Sequence, residues 1–137
     1  MTAFDTDVLS DLSVPSVATR VAAIPVDQQY VPIVVAEELI RGQLATIRAA
    51  QTGSGPRSLE RAYAYLQETL IALRGFQLLP YTATADSLFR IWRASKMRIG
   101  TRDLRIAAIC LAHGAKLVTR NARDYAQVPS LNLEVWN

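Results

Sequence analysis

Acidic residues are the strongest candidates for a chemical role in this sequence. They fall beside segments that are predicted to end strands or begin helices: Asp5, Asp7, Glu37, Glu38, Asp103 and Asp124, with Asn121 nearby. Hard divalent cations such as Mg²⁺ and Mn²⁺ bind through oxygen ligands. Ionised carboxylates gathered at one place repel one another unless a cation compensates their charge. If these acids meet, they therefore predict a magnesium or manganese site.

The scarcity of other metal ligands narrows this chemistry. The chain contains one histidine and one cysteine, Cys110. A structural zinc site needs several thiolate or imidazole ligands, so such a site is essentially excluded. A single cysteine also excludes an internal disulfide and is typical of proteins from a reducing compartment.

Each acid also has an ordinary structural explanation. Asp103 could cap a helix, and Asp5 or Asp7 could cap a turn. Acids in a first helical turn, as expected for Glu37 and Glu38, favour the helix dipole. Asp124 could be a solvated loop residue. Taken singly, these explanations come first, and only the convergence of the acids favours a metal site.

The elements that must position the acids are predicted from the apolar pattern. Five short apolar stretches are predicted to be strands: 2–4, 29–31, 76–79, 116–119 and 131–136. Five longer segments are predicted to be helices: about 14–24, 35–50, 57–74, 83–95 and 103–113. Their alternation predicts a mainly parallel sheet with helices on both faces. Because open parallel sheets bind ligands at the carboxyl ends of their strands, three separate segments send carboxylates toward one edge.

Local signals add detail to these elements. The strands are short and apolar, so we expect them to be buried. Pro32 should stop the pairing of the second strand. Gly42 inside a helix suggests close packing there, and Gly114 should end the helix that begins near residue 103. In the helix at 83–95, Ile91 should face inward.

Length and composition bound the class of protein. The chain has 137 residues, of which 50% are hydrophobic and 20% charged, so it is not a disordered tail protein. This length favours one domain over residues 1–137. No apolar run approaches a membrane span, and no signal peptide is visible at the N-terminus. The composition therefore predicts a soluble cytoplasmic domain.

The basic residues give a weaker signal. The net charge is +3, and thirteen of the 15 basic residues are arginine, which binds phosphate in a bidentate way. Six of them crowd the stretch that leads into Asp103: Arg90, Arg93, Lys96, Arg98, Arg102 and Arg105. This stretch is either the solvent face of a helix or a track for a nucleic-acid backbone. Arg98 and Arg102 are the best candidates for phosphate contacts because they are expected in the loop nearest to Asp103.

Four segments, in this order and spacing, resemble the motifs of PIN-domain toxins of the VapC type. These are small bacterial and archaeal endoribonucleases from type II toxin–antitoxin pairs. Residues 4–10 resemble the family's Asp-Thr-Asn-Val-Leu-Ser, and residues 38–42 resemble its Glu-Leu-x-x-Gly. Residues 99–108 resemble its Ile-Gly-x-x-Asp-x-x-Ile-Ala-Ala, and residues 117–125 resemble its Leu-Val-Thr-x-Asn-x-x-Asp-Phe. The resemblance implies one PIN-like domain with a three-layer α/β/α fold.

Carried over residue by residue, the resemblance implies an acidic metal site. The implied catalytic residues and metal ligands are Asp5, Glu38, Asp103 and Asp124, supported by Asp7, Thr119 and Asn121. Glu37 has no counterpart in the family motif. Asp7 replaces the family's usual asparagine, while Pro32 and Val35 stand where the family often has serine and threonine.

The implied activity is hydrolysis of RNA phosphodiester bonds by an activated water, with Mg²⁺ or Mn²⁺ as the cofactor. Asp124 is a candidate to orient that water. The resemblance also implies an RNA substrate, a cognate antitoxin and a homodimer, with no membrane partner. Two alternatives stay open. One is a binding module of this fold with weakened catalysis, suggested by Asp7, Pro32 and Val35; the other is a structure-specific DNA nuclease.

Overall fold

A sheet of five parallel strands lies at the centre of the molecule. The structure is a computed structural model that describes residues 1–137. The strands are β1 (Thr2–Phe4), β2 (Gln29–Pro32), β3 (Gln77–Leu79), β4 (Lys116–Thr119) and β5 (Leu133–Val135). Their order is β3-β2-β1-β4-β5, and every neighbouring pair is parallel. This confirms the predicted parallel sheet and places β1 between β2 and β4.

Helices flank this sheet, as the predicted α/β architecture requires. They are α1 (Thr6–Leu9), α2 (Pro15–Ala22), α3 (Ile33–Thr52), α4 (Leu59–Leu73), α5 (Ala83–Ala94), α6 (Thr101–His113) and α7 (Ala122–Tyr125). A short 3₁₀ turn, Val26–Gln28, leads into β2. α3 packs against α4, and α5 packs against α6. None of the helices is both long and apolar enough to cross a membrane.

Side-chain caps and one glycine explain several helix ends. At the start of α4 the Ser58 hydroxyl accepts a hydrogen bond from the main-chain N–H of Arg61. At the start of α5 the Thr82 hydroxyl does the same for Ala85. Gly114 ends α6 as predicted. Its backbone φ is 66°, a conformation that residues other than glycine adopt only at an energetic cost.

The central strands are buried, whereas the edge strands are not. Every residue of β1 is buried, and the Phe4 ring packs edge-on against Phe76 and Trp136 with centroids 5.8 and 6.0 Å apart. Two of the three residues of β3 are exposed, and β5 is only partly covered. The expectation that every strand is buried is therefore wrong for the edges, because an edge strand has a neighbour on one side only.

Three further local predictions are wrong. Pro32 does not stop the pairing of β2 but is its last residue, opposite Leu79, because proline lacks only the N–H donor and is tolerated at a strand end. No atom lies within 4 Å of the place where a Cβ on Gly42 would be, so no close packing occurs there. Ile91 is 61% exposed because α5 buries a narrow stripe that includes Trp92 but not its neighbour.

Candidate active site

Asp5 lies at the carboxyl end of β1 and is held from three sides. Its main-chain N–H donates to the Val118 carbonyl of β4 at 2.9 Å, which keeps this residue against the sheet. Its side chain caps α1, with Oδ1 accepting from the N–H of Thr6 at 2.8 Å. Its Oδ2 accepts from the Thr119 hydroxyl at 2.7 Å. Since both oxygens are held and the residue is 4% exposed, the carboxylate has one orientation.

The turn after β4 connects Asp5 to Asp124. The Thr119 hydroxyl, which donates to Asp5, accepts from the main-chain N–H of Asn121 at 3.0 Å. The Asn121 amide donates from Nδ2 to Oδ2 of Asp124 at 3.2 Å, and its Oδ1 caps α7 by accepting from the N–H of Asp124. Thr119 and Asn121 therefore orient two carboxylates, which fits the supporting role predicted for them.

Glu38 reaches the site from α3 through a contact that the sequence analysis missed. Its Oε1 accepts a hydrogen bond from the Thr6 hydroxyl at 2.9 Å, although 32 positions separate the two residues. Thr6 thus connects the first and second motifs, using its N–H for Asp5 and its hydroxyl for Glu38. The position of Thr6, directly after Asp5 in the first motif, was the sequence feature that could have indicated this contact.

Asp103 lies in the first turn of α6 and is half-buried. The residue before the helix is Gly100, so Asp103 does not serve as the N-cap that the sequence allowed. The hydroxyl of Tyr125 faces its carboxylate. Asp103 is thereby free of a capping role and directed toward the other acids.

The carboxylates are close enough to influence one another's pKa. Burial and the charges of Asp7 and Asp103 raise the pKa of Asp5 to about 6, although the hydrogen bonds from Thr119 and Thr6 act to lower it. Burial and the charge of Asp103 raise the pKa of Glu38. Burial, Asp124 and Asp7 raise the pKa of Asp103. Acids from four segments of the chain thus meet at one edge of the sheet, which we call the acidic edge: Asp5, Asp7, Glu38, Asp103 and Asp124.

Asp7 differs from the other carboxylates in how its oxygens are used. Its Oδ2 accepts from the main-chain N–H of Arg120 at 3.1 Å and lies 3.4 Å from the Thr119 hydroxyl. Its Oδ1 is buried and has no hydrogen-bond partner. Asp7 therefore holds the turn after β4 with one oxygen, while the other remains able to bind a donor or a cation.

The donor set of the acidic edge fits a hard divalent cation. It consists of carboxylate and hydroxyl oxygens, one of which, on Asp7, is buried and unpaired. Burial and mutual repulsion raise the pKa values of these carboxylates, and a bound cation would offset that repulsion. As positioned, no three Asp, Glu, His or Cys side chains form a group that could hold a metal ion by themselves. Mg²⁺ usually keeps several waters and uses one or two carboxylates, so waters would complete the coordination.

A polar cavity of about 460 Å³ opens beside Glu38 and Asp103. It is lined by charged residues, one threonine and one glycine: Glu37, Glu38, Arg41, Gly100, Thr101, Arg102, Asp103 and Arg105. Arg102 is therefore beside the acids, and its charge lowers the pKa of Glu38. The sequence analysis missed Arg41, although its position three residues after Glu38 on one helix face was a usable signal.

The basic stretch before Asp103, which we call the basic segment (residues 90–105), is divided among several tasks. Arg90 pairs with Asp86 on the surface at 2.7 Å. Arg93 donates to the Ile99 carbonyl and the Thr101 hydroxyl, both at 3.3 Å, and so holds the loop before α6. The side chain of Arg98 is exposed and is not among those that line the cavity. Of the two predicted phosphate contacts, only Arg102 adjoins the acidic edge.

Several solved structures have a similar fold. One is VapBC2 from Rickettsia felis, which was solved bound to a DNA fragment from its promoter. A chain of that structure superposes on this one with a TM-score of 0.75 at 19% sequence identity, over 99% of this chain and 98% of that chain. DNA-bound VapBC from Salmonella typhimurium gives 0.75 at 20% identity over 100% of both chains. FitAcB from Neisseria gonorrhoeae gives 0.73 at 19% identity, over 100% and 97%.

Because the sequence identities are low, these superpositions show a shared fold and no more. Curated protein sequences give no match. The family model of the PIN domain matches residues 3–131 and therefore spans the acidic edge. This match confirms the resemblance that the four sequence motifs carry. The chain belongs to the PIN-domain family.

Proposed function

We propose that the chain is a divalent-metal-dependent endoribonuclease, formed by one PIN-like domain over residues 1–137, and that it is the toxin of a toxin–antitoxin pair. The observation that carries the proposal is the convergence of Asp5, Glu38 and Asp103. They come from three distant segments, and each has a raised pKa because it is buried near other acids. Such an accumulation of charge is costly unless a cation compensates it.

In this proposal Asp5, Glu38 and Asp103 hold Mg²⁺ or Mn²⁺ directly or through water, and Asp124 completes the site. The cation, when bound, supplies an activated water and positive charge for the phosphate. Asp124 orients the attacking water, since the Asn121 amide holds its Oδ2. Attack by water rather than by the ribose 2′-hydroxyl leaves a 5′-phosphate and a 3′-hydroxyl.

RNA would approach through the polar cavity. Arg102 lines that cavity together with Arg41, on the wall formed by α3, and both offer planar donors that suit phosphate. Arg98 would contact the backbone farther from the acids, because its side chain is exposed outside the cavity. Sequence preference would come from unpaired bases rather than from these contacts.

The partners follow from the family. The structural relatives include VapBC and FitAcB assemblies, which supports a cognate antitoxin whose segment covers the acidic edge. A homodimer and a cytoplasmic location are part of the same proposal. Expression of the chain alone should arrest growth, and co-expression of a small protein from a neighbouring gene should relieve the arrest. No arrest in a host that accumulates the folded protein would contradict the toxin assignment.

The nuclease assignment is tested with matched acid-to-amide variants. Asp5→Asn and Asp103→Asn should abolish RNA cleavage with Mg²⁺ or Mn²⁺, while Asp86→Asn, on the surface of α5, should keep the parent rate. Circular dichroism checks that all three variants fold. Parent-like cleavage by both site variants would refute the proposal. Paired RNA and DNA substrates of one sequence test the DNA-nuclease alternative, which predicts faster cleavage of DNA.

A binding module with weakened catalysis is the second candidate, and Asp7 favours it. Asp7 adds a charge where the family usually has asparagine, and Pro32 and Val35 stand where the family often has serine and threonine. Calorimetric titration with Mn²⁺ separates the two functions. Saturable binding that is lost in Asp103→Asn supports the nuclease, whereas the absence of saturable binding supports the module.

A further inference from the structure

Tyr125 brings a hydroxyl group into the core directly beneath the acidic edge. The residue is 1% exposed, yet its hydroxyl forms no hydrogen bond. The polar groups that face this hydroxyl are the carboxyls of Asp5 and Asp103 and the thiol of Cys110. A tyrosine hydroxyl is protonated at neutral pH, so this group can act only as a neutral donor or acceptor.

Packing does not require this hydroxyl. Tyr125 aligns with the phenylalanine that ends the fourth sequence motif, and a phenylalanine ring would fill the same core space without a polar atom. A buried hydroxyl without a partner is unfavourable, because it has given up its hydrogen bonds to water. Its position against two carboxylates therefore points to a role at the site.

Asp103 is the member of the acidic edge that lacks a donor. The other four carboxylates each accept at least one hydrogen bond, whereas none reaches Asp103. The Tyr125 hydroxyl is a near neighbour of the Asp103 carboxylate but forms no hydrogen bond to it. A hydrogen bond from Tyr125 to Asp103 would satisfy both groups at once.

We propose that Tyr125 is a positioning residue for Asp103: its hydroxyl donates a hydrogen bond to the Asp103 carboxylate when that carboxylate engages a divalent cation. The inference rests on the proposed metal-dependent function. Hydrogen bonds to metal-ligating groups fix their orientation, and removing such a partner typically costs about 10–100-fold in metal affinity or activity. Because the hydroxyl forms no other hydrogen bond, its benefit is expected when Asp103 engages the cation.

The test compares Tyr125→Phe with Tyr81→Phe and Asp103→Asn. Tyr81 is the matched control, since its hydroxyl donates to Asp86 at 2.8 Å, away from the acidic edge. Calorimetry measures Mn²⁺ affinity, and thermal unfolding is followed in EDTA and in Mn²⁺. Tyr125→Phe should bind Mn²⁺ about tenfold more weakly, gain a smaller rise in Tm from Mn²⁺, and keep or raise the Tm in EDTA. For RNA cleavage its kcat should fall while KM stays unchanged, and Tyr81→Phe should keep the parent Mn²⁺ affinity.

The outcomes separate this inference from the proposed function. Parent-like Mn²⁺ affinity in Tyr125→Phe, with binding lost in Asp103→Asn, would overturn the role of Tyr125 and leave the metal site standing. Parent-like affinity in Asp103→Asn would overturn the metal site and this inference together. An equal loss of Tm with and without Mn²⁺ in Tyr125→Phe would mean that the residue acts through packing, which also overturns the inference.

Discussion

The acidic edge and the basic segment adjoin each other, yet they are built in opposite ways. The carboxylates are wholly or partly buried, and Asp5, Glu38 and Asp124 are oriented by hydrogen bonds from threonine and asparagine. The basic side chains lie largely on the surface, and their partners lie on α5 or in the segment that joins α5 to α6. Arg90 pairs with Asp86 one turn away, and the guanidinium of Arg105 lies 4.6 Å from the ring centre of Phe89.

The contrast shows which charged residues in a sequence are informative about function. A local ion pair needs no particular fold, so a run of arginines can satisfy itself on one helix and carry little information about function. A buried carboxylate needs partners from elsewhere in the fold, because its desolvation must be offset. The acids of this chain are therefore informative, whereas each basic residue has to be judged by its contacts.

The largest expected effect breaks the acidic edge itself and uses two adjacent acids. Glu38 is held by Thr6 and faces Asp103, whereas Glu37 pairs with Arg41 at 2.9 Å on the surface. Glu38→Gln should lower kcat/KM for RNA cleavage at least about 100-fold, as expected for loss of a metal ligand. Glu37→Gln should lower it by less than about threefold, because exposed pairs contribute little. Equal losses in the two variants would contradict the assignment.

The pH dependence of stability gives the next effect, measured without metal. The pKa of Asp5 is raised to about 6 in the folded chain, so folding favours its protonated form. The stabilisation is complete below the unfolded pKa of about 4 and is lost as pH rises through 6. Asp5→Asn, which keeps the N-cap of α1, should therefore be more stable than the parent at pH 8 by about 2–3 kcal/mol, with little difference at pH 4. Urea unfolding in EDTA at both pH values measures the difference.

The control for this prediction has the opposite sign. The hydroxyl of Tyr81 and the guanidinium of Arg90 lower the pKa of Asp86. Any stability that Asp86 contributes is present above its unfolded pKa and is lost as pH falls through the lower folded value. Asp86→Asn should therefore be less stable than the parent at pH 8, and this deficit should shrink in acid. A deficit for Asp5→Asn at pH 8 would show that its carboxylate is not destabilised by its surroundings.

A smaller effect on RNA cleavage is expected from two arginines of the basic segment. Arg102 lines the polar cavity and influences Glu38, whereas the side chain of Arg98 is exposed outside it. Arg102→Ala should raise KM for RNA about five- to tenfold, because a charge-assisted contact to phosphate is lost. It should also reduce the slope of log affinity against log salt by about 0.7. Arg98→Ala should change KM by less than about twofold, and a larger effect than that of Arg102→Ala would reverse the ranking.

The smallest effect is expected where a basic residue is fully accounted for by its own helix. Arg90 pairs with Asp86 four residues earlier on the exposed face of α5. Arg90→Ala should change Tm by no more than about 2 °C, because exposed ion pairs of this spacing are weak. RNA cleavage should stay at the parent rate. A loss of cleavage in a folded Arg90→Ala variant would mean that the basic segment acts as a whole.

Much of the fold could be predicted because its causes are local. β1 and β4 were predicted with the bounds they have, since short apolar stretches between polar residues favour buried strands. Gly114 ends α6 as expected, because the left-handed conformation there suits glycine. The exposure of β3 could not be predicted, because its sequence does not say that it lies at the edge of the sheet.

The candidate site could be predicted in part, because its acids lie in motifs that are local in the sequence. The resemblance of four motifs implied that Asp5 and Asp103 share one site before any geometry was known. Thr6 and Tyr125 were not among the predicted residues, because neither is acidic and both make their contacts across the fold. Their roles depend on where α1 and α7 lie against the sheet, and no local pattern encodes that.

Residue types alone predict the kind of ligand expected at the site and the elements that carry it. Its acids, with one histidine and one cysteine, favour hard cations over zinc, and its apolar pattern predicts a parallel sheet. Only the tertiary structure decided that β1 and β4 are neighbours, which brings the Thr119 hydroxyl to Asp5 across 114 positions. The physical reason is that residue type and secondary structure depend on near neighbours along the chain. The order of strands, and with it the meeting of buried charges, depends on how the whole core packs.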